Sequence, residues 1–258
     1  MPAQEFFTPV SFDFLWEAAG LGDLPYPLRV GSHGETEVER AALRERANVE
    51  FAARELRNSP VEDWLGLLSR PRISIDALHI PDFRVPPVAA LAASDGNQAV
   101  LAVQNSDGIW LRPIYPDGLV SAVVDLLPAC GRGSEASVTL PIAQALRTRP
   151  ANTGVPAAAG ASSRRAAGLA ERTANEGEAY ARLISQPRLR GGQLAANSRD
   201  ELGGRRRSGV LAWFDTASGR YLSLSRTGPD GTEWVTVAPA DAKALRGRLA
   251  ELVTEVTR

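Results

Sequence analysis

The sequence predicts an α+β fold: a central twisted antiparallel β-sheet flanked by two helical bundles, with quasi-two-fold internal duplication. Three observations predict it. Short alternating apolar segments bounded by turn residues fall into two groups, one in each half of the chain. A helical segment ending in Pro-Arg precedes each group, "LLSRPR" at Leu67–Arg72 and "LISQPR" at Leu183–Arg188. An amphipathic helical segment follows each group, so helices and strands come in separate runs, which is the α+β pattern.

In the first half, Thr36 with Glu39 forms a capping box that opens a long helix. Val38, Ala42, Val49, Ala53 and Leu56 make one narrow apolar stripe on it. Ser59, with Pro60 at the first helical position and Glu62 at the third, starts a short helix through Leu68 that Pro71 stops. "RISIDALHI", "QAVLAVQ" and "GIWLRPI" read as strands, the last two joined by the turn "NSDG". Asp117 is placed to cap a helix carrying Leu119, Val123, Leu126 and Leu127.

From about 149 to 172 small residues, proline and glycine dominate, which predicts a flexible loop because such a segment cannot bury enough to offset its ordering entropy. A helix ending at Pro187 follows, then strands at "GVLAWFD", "GRYLSLSR" and "EWVTVAP". The chain closes on a helix capped near Asp241, with Leu245, Leu249, Leu252 and Val256 on one face. Burying those four contributes about 1.5–3 kcal/mol each before entropy is subtracted.

Four phrases recur in the same order. "PVSFDFLWEA" from Pro9 matches "SVTLPIAQAL" from Ser137, and "WLGLLSRPR" matches "YARLISQPR". "AVLAVQNSDG" matches "GVLAWFDTASG", and "IWLRPIYPD" matches "EWVTVAPAD" with Trp110 opposite Trp234. The expected organisation is a single domain over 1–258, made of two diverged halves at about 1–130 and 131–258 that share one sheet.

Composition narrows the function. A net charge of −1 creates no global field for nucleic acid or an anionic membrane. Lys243 is the only lysine among the cations, as in a GC-rich genome, with guanidinium recognition of phosphate or carboxylate the alternative reading. Cys130 is the only cysteine, which rules out a disulfide framework and fits a reducing interior. The first residues lack a basic region followed by an apolar stretch, and no run approaches a membrane span, so a cytoplasmic protein without membrane insertion is expected.

Catalytic signatures are missing. The two histidines, His33 in a glycine loop and His79 on a strand, have no Gly-x-Ser-x-Gly motif to serve, and no spacing suits zinc. "GRGSEA" matches a dinucleotide fingerprint in letters only, because a helix precedes it and a strand follows. Arg205–Arg207 is the sharpest charge run and reads as a solvated loop or a contact to an acidic partner, since the domain around it is neutral. Trp213 and Phe214 are adjacent, so a strand would send them to opposite faces.

"LGDLPYPL", "GETEVERAALRE", "RPRISID", "SVTLP", "GRYLSLSR" and "DGTEWVTVAPADAKALRGRLAEL" together resemble the EspG family of ESX (type VII) secretion-associated proteins of actinobacteria, over nearly the whole chain outside 149–177. The resemblance implies a non-enzymatic cytosolic chaperone without cofactors, a monomer or weak homodimer when free. It would bind a PE–PPE-like heterodimer or another helical-hairpin secretion substrate, shield its hydrophobic tip and keep it soluble. The family grips that tip with sheet and C-terminal helical surfaces and has a mobile loop between early strands. Carried over, this places the loop at about Pro81–Gln98, with Phe83, Val85 and Val88 as partner-binding candidates, and assigns Trp213, Phe214 and Tyr221 from the second sheet segment. The competing expectations are an enzyme using His33 with Glu35 or Glu37, and a nucleic-acid adaptor using Arg205–Arg207.

Overall fold

The computed structural model describes residues 4–57, 59–82, 84–147 and 164–258, without the side chains of 164–174. The first half runs β1 (Glu5–Phe7), α1 (Pro9–Ala18), α2 (Glu37–Ala53), α3 (Pro60–Ser69), β2 (Ile73–Ile80), β3 (Val88–Ser94), β4 (Ala99–Gln104), β5 (Ile109–Ile114) and α4 (Leu119–Val124). The second runs β6 (Val138–Pro141), α5 (Ile142–Arg147), α6 (Arg164–Ser185), β7 (Arg190–Arg199), β8 (Arg205–Arg207), β9 (Leu211–Thr216), β10 (Gly219–Thr227), β11 (Glu233–Pro239) and α7 (Ala242–Thr257).

Local chemistry sets several helix starts. Thr36 accepts from the Glu39 backbone N–H, Ser59 from that of Val61, and Asp241 from that of Ala244. Asp117 does not cap α4: Gly118 occupies that position without a side-chain bond.

The strands form one antiparallel sheet in the order β1-β5-β4-β3-β2-β7-β9-β10-β11-β6, with β8 paired to the end of β7. Read from either end, the order is the same. The outermost strand opens each half, the strand beside the midline comes next, and a meander then runs outward. The midline is the β2–β7 ladder, from Ile73↔Ser198 to Ile80↔Gly191.

That equivalence corrects two of the four phrase matches. Leu67–Arg72 with Leu183–Arg188, and Trp110 with Trp234, fall on corresponding positions. The match of 99–108 with 209–219 instead sets β4 against β9, whose counterpart is β3, and the match of Pro9 with Ser137 sets the start of α1 against β6. Short alternating strands resemble one another whatever their place in a sheet, so they misalign easily.

Helices cover both faces. On one, α4 and α7 meet across the midline and bury Ile75, Leu101, Leu194, Trp213 and Leu224 beneath Val123, Leu245, Leu249, Leu252 and Val256. On the other, α1–α3 cover the first half around Phe12, Leu65, Leu91, Val100 and Leu111. The helices α5 and α6 cover the outer second half, where Leu183 packs on Phe214, Tyr221 and Val237.

Three further expectations change. The residues from Arg164 onward are helical, so the flexible loop expected at 149–172 ends inside α6; its earlier part lies outside the described residues. Alanine, arginine and glutamate in "RRAAGLAER" are strong helix formers, which the small-residue reading overlooked. On α2, Val38 and Val49 are exposed and the buried residues are Ala47 and Phe51. Arginines secure that helix instead. Arg40 bonds Asp13, Ser32 and the His33 carbonyl and lies over the Phe14 ring, while Arg54 joins Glu50 to Glu5. Finally, Val88–Ser94 is β3, an interior strand, so the Pro81–Gln98 loop shrinks to 81–87.

One buried ion cluster ties the connector between the halves to the sheet. Asp215 accepts from Arg220 at 2.7 and 2.9 Å and from Arg190 at 2.7 Å. Arg220 also donates to the Pro128 carbonyl, Arg190 donates to that of Ala129, and the Arg220 guanidinium lies over the Trp213 ring. Burial raises the Asp215 pKa, but hydrogen bonds from Arg220 and Arg190 outweigh it and hold the carboxyl below its ordinary range. Removing one member strands a buried charge, so Arg220→Ala should cost about 3–5 kcal/mol of stability, measured by urea unfolding.

His79 lies beside this cluster, its ring 5.4 Å from that of Trp213. Burial lowers its pKa below 6.5, and the charges of Arg190 and Arg220 add to the effect against the opposing pull of Asp215. The folded chain thus holds a neutral imidazole, and the unfolded chain binds the extra proton below about pH 6.5. Stability should therefore fall as pH drops through that value. His79→Phe should flatten the slope between about pH 7 and pH 5.5 in unfolding curves, and an unchanged slope would assign it to other groups.

Candidate partner-binding site

The face of β2, β7 and β9 away from α4 and α7 carries a groove of about 290 Å³. Alternation puts Leu78 and Ile80 of β2, Gln193 of β7, and Ala212 and Phe214 of β9 on this face. Helix α6 supplies the opposite wall through Tyr180 and Ile184, one turn apart, and Arg188 lies over the Phe214 ring at 4.8 Å. Gly191, between Ile80 and Phe214 on this face, keeps the floor low, and Gly192 faces the Trp213 side. Gly192 is held close, because a Cβ there would meet the Leu78 carbonyl oxygen at 2.4 Å and the Trp213 indole nitrogen at 2.8 Å.

The groove can bind apolar side chains and offers little for chemistry. Its lining contains no carboxylate, histidine or cysteine, and its polar members are Tyr180, Arg188, Gln193 and Ser223. A volume near the lower end of ligand pockets, roughly 300–1,000 Å³, suits a few aliphatic side chains. Among the described residues no cluster of three or more His, Cys, Asp or Glu could hold a metal ion, and no helix is long and apolar enough to cross a membrane.

The residues expected from sequence scatter around this site. Val85 is exposed in the short loop that leaves β2 at Ile80, and Val88 opens β3, opposite His79. Phe83 lies outside the described residues. The three aromatics are interior: Trp213 is 2% exposed, Phe214 5% and Tyr221 0%. Trp213 and Phe214 do point to opposite faces, and helices cover both, so neither is left over as a free anchor. Tyr221 stacks on Phe214, accepts from the Glu135 backbone N–H and contacts the Ser218 hydroxyl; it buttresses the Phe214 ring from the side, on the same face of the sheet. Leu78, Ile80, Tyr180, Ile184 and Gln193 were not singled out in the sequence. The signal available was the pairing of "LHI" alternation with the "GG" of "LRGGQ", which makes sense only once β2 and β7 are neighbours.

Several of the remaining candidates hold structural contacts. His33 faces Asp13 at 3.3 Å rather than Glu35 or Glu37. Burial raises the Asp13 pKa, yet hydrogen bonds from Arg40 and His33 bring it below its ordinary value, consistent with a clamp between the glycine loop and α1. Burial, helped by Asp215, pushes the Cys130 thiol up, the reverse of an activated nucleophile. Arg207 grips buried Asp76 with both guanidinium ends.

Comparison with known proteins accords with this architecture. No curated protein matches the sequence at a significant level. Among solved structures, the Mycobacterium tuberculosis type VII secretion system chaperone EspG5, in complex with the PE25–PPE41 dimer, is similar with a TM-score of 0.62 at 14% identity, covering 98% of this chain and 96% of that one. The family model described as "EspG family" matches residues 8–251, and with nearly the whole sheet and its helices inside that span, the chain belongs to the EspG family.

Proposed function

We propose that this protein is a cytoplasmic, non-enzymatic type VII secretion chaperone that binds a PE–PPE-like helical heterodimer, shields its hydrophobic tip and keeps it soluble until secretion. The observation that carries the reading is the apolar groove between the sheet midline and α6, built from Leu78, Ile80, Tyr180, Ile184 and Phe214. It lies where sheet and C-terminal-half helix meet, and its lining gives Tyr180 and Ser223 no histidine, carboxylate or lysine to act with. The similarity to a chaperone solved with a PE–PPE dimer supports the choice of partner.

The tip of a helical hairpin exposes apolar side chains that would self-associate, and covering a few hundred Å² suffices to prevent it. Val85, in the loop that leaves β2 at Ile80 and also carries Phe83, is proposed as the rim of the contact, whereas Val88 stands opposite His79 on the face of α4 and α7 and is not proposed as part of it. Phe214 contributes as the groove floor, whereas Trp213 acts through packing beneath it and Tyr221 through stacking beside it.

Co-expression with a PE–PPE-like pair should convert an insoluble pair into a soluble complex of fixed stoichiometry; equal insolubility with and without this chain would refute the role. Ile80→Asp with Ile184→Asp should weaken the complex by more than about 2 kcal/mol, read by calorimetric titration. Unchanged affinity in a double variant that still folds would move the site elsewhere.

A further inference from the structure

A second surface on the same face of β2 and β7 has an unusual charge arrangement. The Arg199 backbone N–H donates to the Arg72 carbonyl at 2.8 Å, extending the β2–β7 ladder by one step, and on its other side Arg199 pairs with Arg205 of β8. Directly opposed residues of antiparallel strands share a face, with Cβ atoms about 4.5–5.5 Å apart. Arg72, Arg199 and Arg205 therefore form one cross-strand row of like charges, which works against the fold. Among the described residues none of the three has an ion-pair partner, and the same holds for nearby Arg70 and Arg206.

The next row explains why the fold does not neutralise itself. Arg207, two residues beyond Arg205, bonds both oxygens of Asp76, and the Asn197 amide takes a further bond to that carboxylate. Asp76 is 4% exposed and already saturated, so it cannot serve the row. The cleft beside it, about 770 Å³, is lined by Arg70, Arg199, Arg205, Arg206 and Arg207 against only Asp23 and Asp76. The half-exposed ring of Tyr26, the aromatic side chain in the lining, has the Arg207 guanidinium over it at 5.6 Å.

We infer that this cleft is a docking surface for a carboxylate-rich peptide segment of a protein partner, held by Arg199 and Arg205 in its lining and by Arg72, next in the row at its edge. Guanidinium forks match discrete carboxylates in bidentate geometry. A nucleic acid would instead require a basic domain, and this chain carries a net charge of −1. Arg72 and Ile80 stand eight residues apart on one extended run, about 26 Å. The cleft is thus separate from the apolar groove, and the inference does not require that groove to hold a PE–PPE tip.

The test is fluorescence anisotropy with a fluorescein-labelled hexaglutamate peptide, alongside a labelled single-stranded oligonucleotide of similar charge, using the full chain. The expected result is saturable hexaglutamate binding that weakens with added salt. The variant Arg72→Gln/Arg199→Gln/Arg205→Gln should lower that affinity by about tenfold or more while its melting temperature stays level or rises, because the row stabilises nothing in the free chain. The groove variant Ile80→Asp/Ile184→Asp should bind hexaglutamate as the parent does. Equal hexaglutamate binding by parent and triple variant would overturn the inference. So would tighter binding of the oligonucleotide, or a lowered melting temperature accompanying the lost affinity, which would make the row part of the fold.

Discussion

The β2–β7 ladder is the constraint on which the rest of this structure depends. It fuses two meanders into one sheet and sets Leu78 and Ile80 of the first half beside Gly191 and Gln193 of the second. It also decides how the two faces differ. On one, α4 and α7 converge over the joint and seal it with a continuous apolar core. On the other, α1–α3 and α5–α6 pack on the outer strands of their own halves, and the groove and the arginine cleft both lie along the strands between them.

The same joint explains where polar groups were buried. The connector between the halves crosses near the β9–β10 hairpin, and Asp215 with Arg190 and Arg220 fastens its carbonyls at Pro128 and Ala129. A buried cluster of this kind adds little net stability over apolar packing, but it fixes one arrangement because every alternative leaves a charge unpaired. Asp76 with Arg207 and Asn197 acts comparably on the opposite face, tying β2, β7 and β8 at a single point.

Much of the fold was legible in the sequence wherever the signal was local. Thr36, Ser59 and Asp241 announced helix starts, and Leu245, Leu249, Leu252 and Val256 announced the buried face of α7. The hairpins of alternating strands were equally plain. Strands β3 and β7 were not, because "VAALAAS" and "RGGQLAANSR" hold mostly alanine, glycine and polar residues with low strand propensity. Central position, not propensity, makes them strands, and their small side chains leave room for α4, α7 and Trp213 to approach the sheet. The candidate site was hidden for the same reason. Aromatic crowding at Trp213, Phe214 and Tyr221 suggested a free surface, whereas covered strands on both faces turned that crowding into core. The groove depends on aliphatics from β2 and α6, about a hundred residues apart in sequence, and no local pattern links them.

The account's central claim is that a helical partner sits on the groove face and leaves the α4–α7 face bare. The most direct measurement is photo-crosslinking with a benzophenone side chain placed at Ile184 on the groove wall or at Arg248 on exposed α7, in complex with a PE–PPE-like dimer. Adducts to the PPE-like chain from position 184 and none from 248 are the predicted outcome. Adducts from 248 alone, in a complex that forms normally, would contradict it.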